Sequence, residues 1–219
     1  YPTGRKILED ISFTAEPGQI IGITGAVACG KSTLGKVFLG EYPYDGKIIY
    51  RGKDLQAFKD AERSENIGYL GHDPELFNDS LKNNVRMGDA VSAEPYFRAV
   101  CIDEEIAEMP DGKETLVGTG GVRLSGGQAQ RLALARTLYH KRSVMILDDP
   151  FSALDKNTEK EIFAHLRQMT ADSIVLLISH RLYLFPEMDQ VIWMEHGRTT
   201  VGTHEELLEK KGSYYRFWN

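Results

Sequence analysis

Apolar residues fall in short runs broken by glycine, proline and acidic residues, and the runs differ in period. Residues 7–13 alternate loosely and predict a strand, with a turn at 16–19. Residues 19–24 are a near-continuous apolar run that predicts a buried strand, and 33–39 suit a helix. A turn at 44–46 leads into 47–50 and 51–54, which predict a hairpin at the sheet edge. Residues 67–70 read as a short strand. From 79 to 138 the character changes to mostly helical, with loops at 87–89 and 110–112 and a glycine-rich loop at 118–121. Residues 144–147 and 173–178 predict buried strands around a helix at 158–169. Residues 190–194 and 199–201 flank a turn at His196 and Gly197, and 205–211 predict a short amphipathic helix. Strands alternating with helices argue for an α/β fold with a mainly parallel sheet, a small antiparallel β subdomain and a helical insert. The expected organisation is one domain over 1–219, with a core of about 1–78 and 139–219 and a helical subdomain of about 79–138.

At 219 residues, the length suits one large domain or a core with a subdomain. Hydrophobic content of 42% and charged content of 26% fit a soluble globular protein with a real core. The net charge of −6, without a basic run, makes nucleic acid an unexpected partner. No apolar run approaches the ~18 residues of a membrane span, and the opening residues do not read as a signal peptide. The chain opens on Tyr1, which reads as the start of a piece taken from a longer protein.

The run Gly25, Ala26, Val27, Ala28, Cys29, Gly30, Lys31, Ser32 reads G-x-x-x-x-G-K-S, a P-loop, followed by Thr33. Its context is strand, glycine loop, helix. Gly25 and Gly30 let the backbone wrap an anion closely, and the helix start turns N–H groups toward phosphates. Lys31 would neutralise the β- and γ-phosphates, and Ser32 would ligate Mg²⁺, which prefers oxygen. Cys29 and Cys101 make no disulfide framework, and a thiol inside a phosphate loop suits a reducing cytosol. Residues 144–147 end in Asp148, an acid placed to hold Mg²⁺ opposite Ser32. Leu124, Ser125, Gly126, Gly127 and Gln128 open a second helix with an anion-binding start. One nucleotide does not need two such cradles from one chain, so a head-to-tail pair of domains is expected.

These motifs resemble the nucleotide-binding domain of ATP-binding cassette (ABC) transporters, over essentially the whole chain. The resemblance rests on the P-loop, the signature at 124–128, the Walker B strand at 144–148, the D-loop Ser152, Ala153, Leu154, Asp155 and the switch histidine His180. It implies ATP and Mg²⁺ as cofactors, with hydrolysis at two sites of a sandwiched dimer. In that arrangement Tyr1 matches an aromatic that stacks on adenine, His180 the γ-phosphate contact, and Asp155 the acid along the dimer seam. Ser125 and Gly127 match groups that reach the partner's nucleotide. Residues 76–84, 202–207 and 214–215 resemble exporter segments. The likeness implies a transmembrane domain before Tyr1 and a place on the cytoplasmic face of a membrane.

Three positions depart from that pattern. Asp149 stands where the family has the glutamate that polarises the attacking water, and it is one methylene shorter. His72 stands in the place of the glutamine that meets the metal or its waters, and an imidazole binds Mg²⁺ poorly. Thr119 replaces an acidic residue ahead of the signature. The first two belong to the site on this chain's own P-loop, whereas the signature is intact. The expectation is one half of a heterodimeric exporter whose own site is slow. A regulatory ATP-binding module with negligible hydrolysis and a homodimeric exporter ATPase remain alternatives.

Overall fold

The computed structural model describes residues 7–218. In chain order the elements begin with β1 (Ile20–Gly25), α1 (Lys31–Phe38), β2 (Ile49–Tyr50), β3 (Lys53–Asp54), α2 (Asp60–Asn66) and β4 (Ile67–Leu70). Helices α3 (Leu81–Arg86), α4 (Glu94–Ala99), α5 (Asp103–Ala107) and α6 (Gly126–Tyr139) follow. Then come β5 (Val144–Asp148), α7 (Lys156–Met169), β6 (Ile174–Ile178), β7 (Gln190–Glu195) and β8 (Arg198–Gly202). The chain closes with α8 (His204–Glu209) and α9 (Ser213–Trp218). It divides into two compact units. The first takes the described residues up to Tyr69, Arg142–Asp148 and those from Asp172 onward; the second takes Leu70–Lys141 and Asp149–Ala171.

The first unit is built on a sheet of order β4-β5-β6-β1-β7-β8. β1 runs parallel to β6 and β7, β5 parallel to β6, and β8 antiparallel to β7. Every residue of β1 and β5 is buried. That is why these strands read as near-continuous apolar runs: a parallel strand covered on both faces has no polar side to show. Ile21, Ile23, Ile146, Leu176, Ile178 and Ile192 form the sheet's share of the core, closed by Leu34 and Phe38 of α1. Gly35 lets α1 lie close, since a Cβ there would stand 3.1 Å from Ile146 Cγ2. The fold is therefore α/β with a mainly parallel sheet.

Two expectations need correction. Residues 7–13 form no strand. Leu8, Ile11 and Phe13 pack half-buried against the core, and the Glu9 N–H donates to Gly197 O at 2.6 Å. Alternation reported burial of one side, not a ladder. The hairpin at 47–54 is not an edge of the main sheet either. β2 and β3 pair only with each other, antiparallel, around Arg51 and Gly52, whose φ angles of +49° and +78° suit a tight hairpin turn.

In the second unit α6 is the central helix, with Leu132, Leu134 and Leu138 buried. Its first turn is tied to α5 by Glu105, which accepts from Gln128 Nε2 at 2.8 Å and pairs with Arg131 at 2.6 Å. Asn84, fully buried on α3, accepts from the Phe77 N–H at 2.8 Å and donates to the carbonyls of Phe77 and Ser80. One amide thus fixes the loop that precedes α3.

Candidate functional site

The glycine loop leaves β1 at Gly25 and enters α1 at Lys31. Gly25 has φ +149°, and a Cβ there would stand 2.0 Å from Met194 O; no side chain fits. Gly30 precedes α1 at φ +99°, in the left-handed region that glycine tolerates. α1 has no side-chain cap and no acidic residue in its first turn. Its leading N–H groups and dipole are left for an anion. Lys31 is 6% exposed, and its Nζ donates to Ala26 O at 2.9 Å and Gly25 O at 3.2 Å, with Cys29 Sγ at 3.7 Å. The ammonium is held beneath the loop by carbonyls of that loop. Ser32 is exposed, as are Ala26, Val27 and Ala28, while Thr33 is half-buried.

Strand register brings the remaining groups of this unit to the same end of the sheet. Ile178 pairs with both Ile23 and Asp148, so the ends of β1 and β5 flank the end of β6. The Ser179 N–H donates to Ile23 O at 3.1 Å, and exposed His180 follows it. Ligands of open parallel sheets bind outside these carboxyl ends. Asp148 is buried, and its Oδ2 accepts from the Tyr69 hydroxyl at 2.9 Å. Burial, and then the Asp148 carboxylate, push the Tyr69 phenol far above its ordinary range, so it stays a donor. Tyr69 carried no sequence signal: it lies inside a four-residue strand and only the sheet order reveals its partner.

The residues here fit a nucleotide phosphate chain and Mg²⁺. An uncapped helix start and a buried ammonium suit phosphate; an exposed hydroxyl and a carboxylate suit a hard cation. Among the described residues no group of three or more His, Cys, Asp and Glu side chains could hold a metal. A Mg²⁺ would thus take most of its shell from phosphate oxygens and water, as it commonly does.

The second unit carries the other candidates. Asp149 has φ +52°, a left-handed conformation that aspartate tolerates better than most residues, and its side chain is 19% exposed. His72 Nδ1 lies 3.9 Å from Asp149 Oδ2. The signature opens α6 through a capping box: Ser125 Oγ accepts from the Gln128 N–H, and Gln128 Oε1 accepts from the Ser125 N–H at 2.9 Å. Leu124 is half-buried just before it. A Cβ on Gly126 would meet nothing within 4 Å, and one on Gly127 would stand 3.1 Å from Ala153 O. Asp155 caps α7, accepting from the N–H groups of Asn157 and Thr158 and from the Thr158 hydroxyl, and these bonds hold its carboxyl below the usual range. The Thr119 N–H donates to Asn78 Oδ1 at 2.7 Å. Tyr1 lies outside the described residues. Glu105, which steadies the signature helix, went unnoticed in the sequence because nothing marks one glutamate among the acids of α5.

A parallel sheet bearing a glycine loop, a buried lysine and an acid at its strand ends defines a P-loop nucleotide-binding domain. The ABC transporter family profile matches residues 8–152, and the chain belongs to that family. It is an ATP-binding domain of the ABC type, an ATPase. An ATP-dependent lipid A-core flippase from Pseudomonas fluorescens is 38% identical over 99% of this chain and 37% of its own length. ATP-binding cassette sub-family B member 6 from Xenopus tropicalis is 38% identical over 100% of this chain and 26% of its own length. A solved bacterial Atm1-family ABC exporter with ATP bound superposes with a TM-score of 0.90 at 32% identity, over 98% of this chain and 39% of that one. The chain therefore spans well under half the length of each.

Proposed function

We propose that this chain is the ATP-driven motor domain of a membrane exporter and that its own P-loop site turns over slowly. The family and its exporter relatives support the motor role. On this reading it is one ABC domain, with a core of about 1–78 and 139–219 and a helical subdomain of about 79–138. It joins a transmembrane domain that precedes Tyr1 and works on the cytoplasmic face. A second ABC domain, of a different chain, completes the dimer.

The roles follow the chemistry of each group. Residues 25–33 wrap the phosphates, with Lys31 supplying the positive charge. Ser32 and Asp148 would hold Mg²⁺, with Tyr69 fixing the Asp148 carboxylate. Bound Mg²⁺ supplies neutralisation of phosphate charge. Asp149 polarises the attacking water, His180 meets the γ-phosphate, and Tyr1 stacks on adenine. Residues 124–128 face the partner's nucleotide, and Asp155 lies along the seam.

One observation carries the asymmetric reading. The signature is intact, and among the described residues nothing gives Gly126 a steric reason to be glycine. A bare backbone there suits close approach by a group from outside. The own-site base, by contrast, is Asp149, one methylene short, and a misplacement of ~1 Å can cost ~100-fold in rate. The test is Mg-ATP turnover by the intact, partner-assembled protein with and without Asp149→Glu, in both cases with the partner's own site silenced by glutamine in place of its catalytic glutamate. Slow wild-type turnover, raised about 10-fold or more by the substitution, supports the reading. Brisk wild-type turnover with no gain removes the slow site and leaves the motor role standing. The partner chain is expected to carry glutamate after its Walker B strand and a weakened signature.

A further inference from the structure

His72 and Asp149 replace two residues of the family pattern at once, and both lie in the second unit with Nδ1 and Oδ2 3.9 Å apart. That separation is too long for a hydrogen bond and short enough for one rotation to close it. The His72 side chain is 58% exposed, whereas the Asp149 side chain is 19% exposed on a backbone at φ +52°. The more exposed member has room to adjust to the more buried one. The ring atom nearest the carboxylate is Nδ1, the nitrogen closer to the backbone.

We propose that His72 is a positioning residue for Asp149 rather than a metal ligand. With a proton on Nδ1, it donates to Asp149 Oδ2 and aims the other carboxylate oxygen at the attacking water. This rests on Asp149 being the water-polarising group. The logic is one of matched lengths. A glutamate reaches its water on a longer stem. An aspartate is shorter, so its orientation tolerates less error and gains more from a fixed donor. A metal ligand would offer a ring nitrogen lone pair to Mg²⁺, a poor match for a cation that takes oxygen. Here Nδ1 stands 3.9 Å from a carboxylate oxygen, which calls for a donor.

The geometry separates the two ring nitrogens, and so do substitutions. Asparagine places its amide nitrogen where Nδ1 sits; glutamine places it where Nε2 sits. The experiment measures ATP turnover in the intact, partner-assembled protein, with the partner's own site silenced in the same way, for wild type, His72→Ala, His72→Asn and His72→Gln. Each is made in the wild-type and Asp149→Glu backgrounds, with KM determined throughout. Positioning predicts that His72→Ala lowers the rate about 10-fold at unchanged KM. His72→Asn recovers most of that loss and His72→Gln does not. The penalty of His72→Ala shrinks at least about threefold when Asp149→Glu is also present, because the two groups act as one. Equal penalties in both backgrounds, no penalty in either, or recovery by His72→Gln rather than His72→Asn overturns the proposal. The slow-site reading is judged separately, by the wild-type rate against Asp149→Glu alone.

Discussion

Two glycines of the candidate site are glycine for opposite reasons, and substitution separates them. Gly25 combines φ +149° with a would-be Cβ 2.0 Å from Met194 O, a backbone atom that cannot step aside. Gly25→Ala is expected to cost on the order of 3 kcal/mol or more, read as a lowered denaturation midpoint. Gly126 opens α6 with nothing within 4 Å of its Cβ position. Gly126→Ala is expected to shift stability by no more than about 0.5 kcal/mol. If that surface receives a partner's nucleotide, the same substitution lowers turnover of the assembled protein while leaving the melting curve in place. A loss of both, or of neither, would remove the partner-facing role of Gly126. At this scale the sequence was informative where residue type and spacing carry the chemistry, as in Gly25, Lys31 and Asp148. It was silent about Tyr69, whose bond to Asp148 spans 79 positions and depends on sheet order.

Elements were legible in proportion to how apolar they are. β1, β5 and β6 announced themselves because burial on both faces leaves runs without polar residues. α2 did not, because none of its residues is buried and its sequence has no apolar stripe; it is tied down instead by Arg63, whose guanidinium donates to Phe38 O at 2.8 Å and Leu55 O at 2.6 Å. α9 was missed for another reason. Its aromatics are poor helix formers, and docking rather than propensity holds it. Trp193 Nε1 donates to Ser213 Oγ at 2.8 Å, and buried His204 Nδ1 lies 2.7 Å from the Tyr214 hydroxyl. Burial lowers the His204 pKa from its ordinary 6.5, with Glu205 opposing. A lowered pKa means the unfolded state binds the proton first. The stability contributed by this contact is complete above about pH 6.5 and is lost as pH falls below it. Acidification from pH 7 to 5 should therefore lower the denaturation midpoint and change the emission of Trp193 and Trp218. Tyr214→Phe should cost about 1 kcal/mol at neutral pH, and His204→Gln should flatten the acid limb. An acid limb unchanged by His204→Gln would place the sensitivity elsewhere.

Across the whole chain, the sequence order of motifs carried the family, while the division into units needed the structure. The chain passes between its two units after Tyr69, Lys141, Asp148 and Ala171. The Walker B acid Asp148 and the candidate base Asp149 are thus neighbours in sequence assigned to different units, which no composition shift announces. Ligand binding to the native state should register globally. ATP at about 100 times its Kd is expected to add about 2.7 kcal/mol, or roughly 5–10 °C in melting temperature for a chain of this size. Lys31→Ala should abolish that shift, and a shift that survives would mean the phosphates are held elsewhere.

The starts of α1 and α6 are both glycine-rich, yet they keep different things in reserve. α1 begins without a side-chain cap, whereas Ser125 and Gln128 close the start of α6 on themselves. A cell is full of loose inorganic phosphate and other small anions. An uncapped start competes for any of them, with Lys31 to sharpen the contest. A start already satisfied by its own box gives a wandering anion little to gain, since capturing it means surrendering bonds worth about 1 kcal/mol. Only a phosphate brought in already anchored, with its entropy lost elsewhere, repays the exchange. The signature face would then stay silent to the surrounding solution and answer only to a delivered nucleotide.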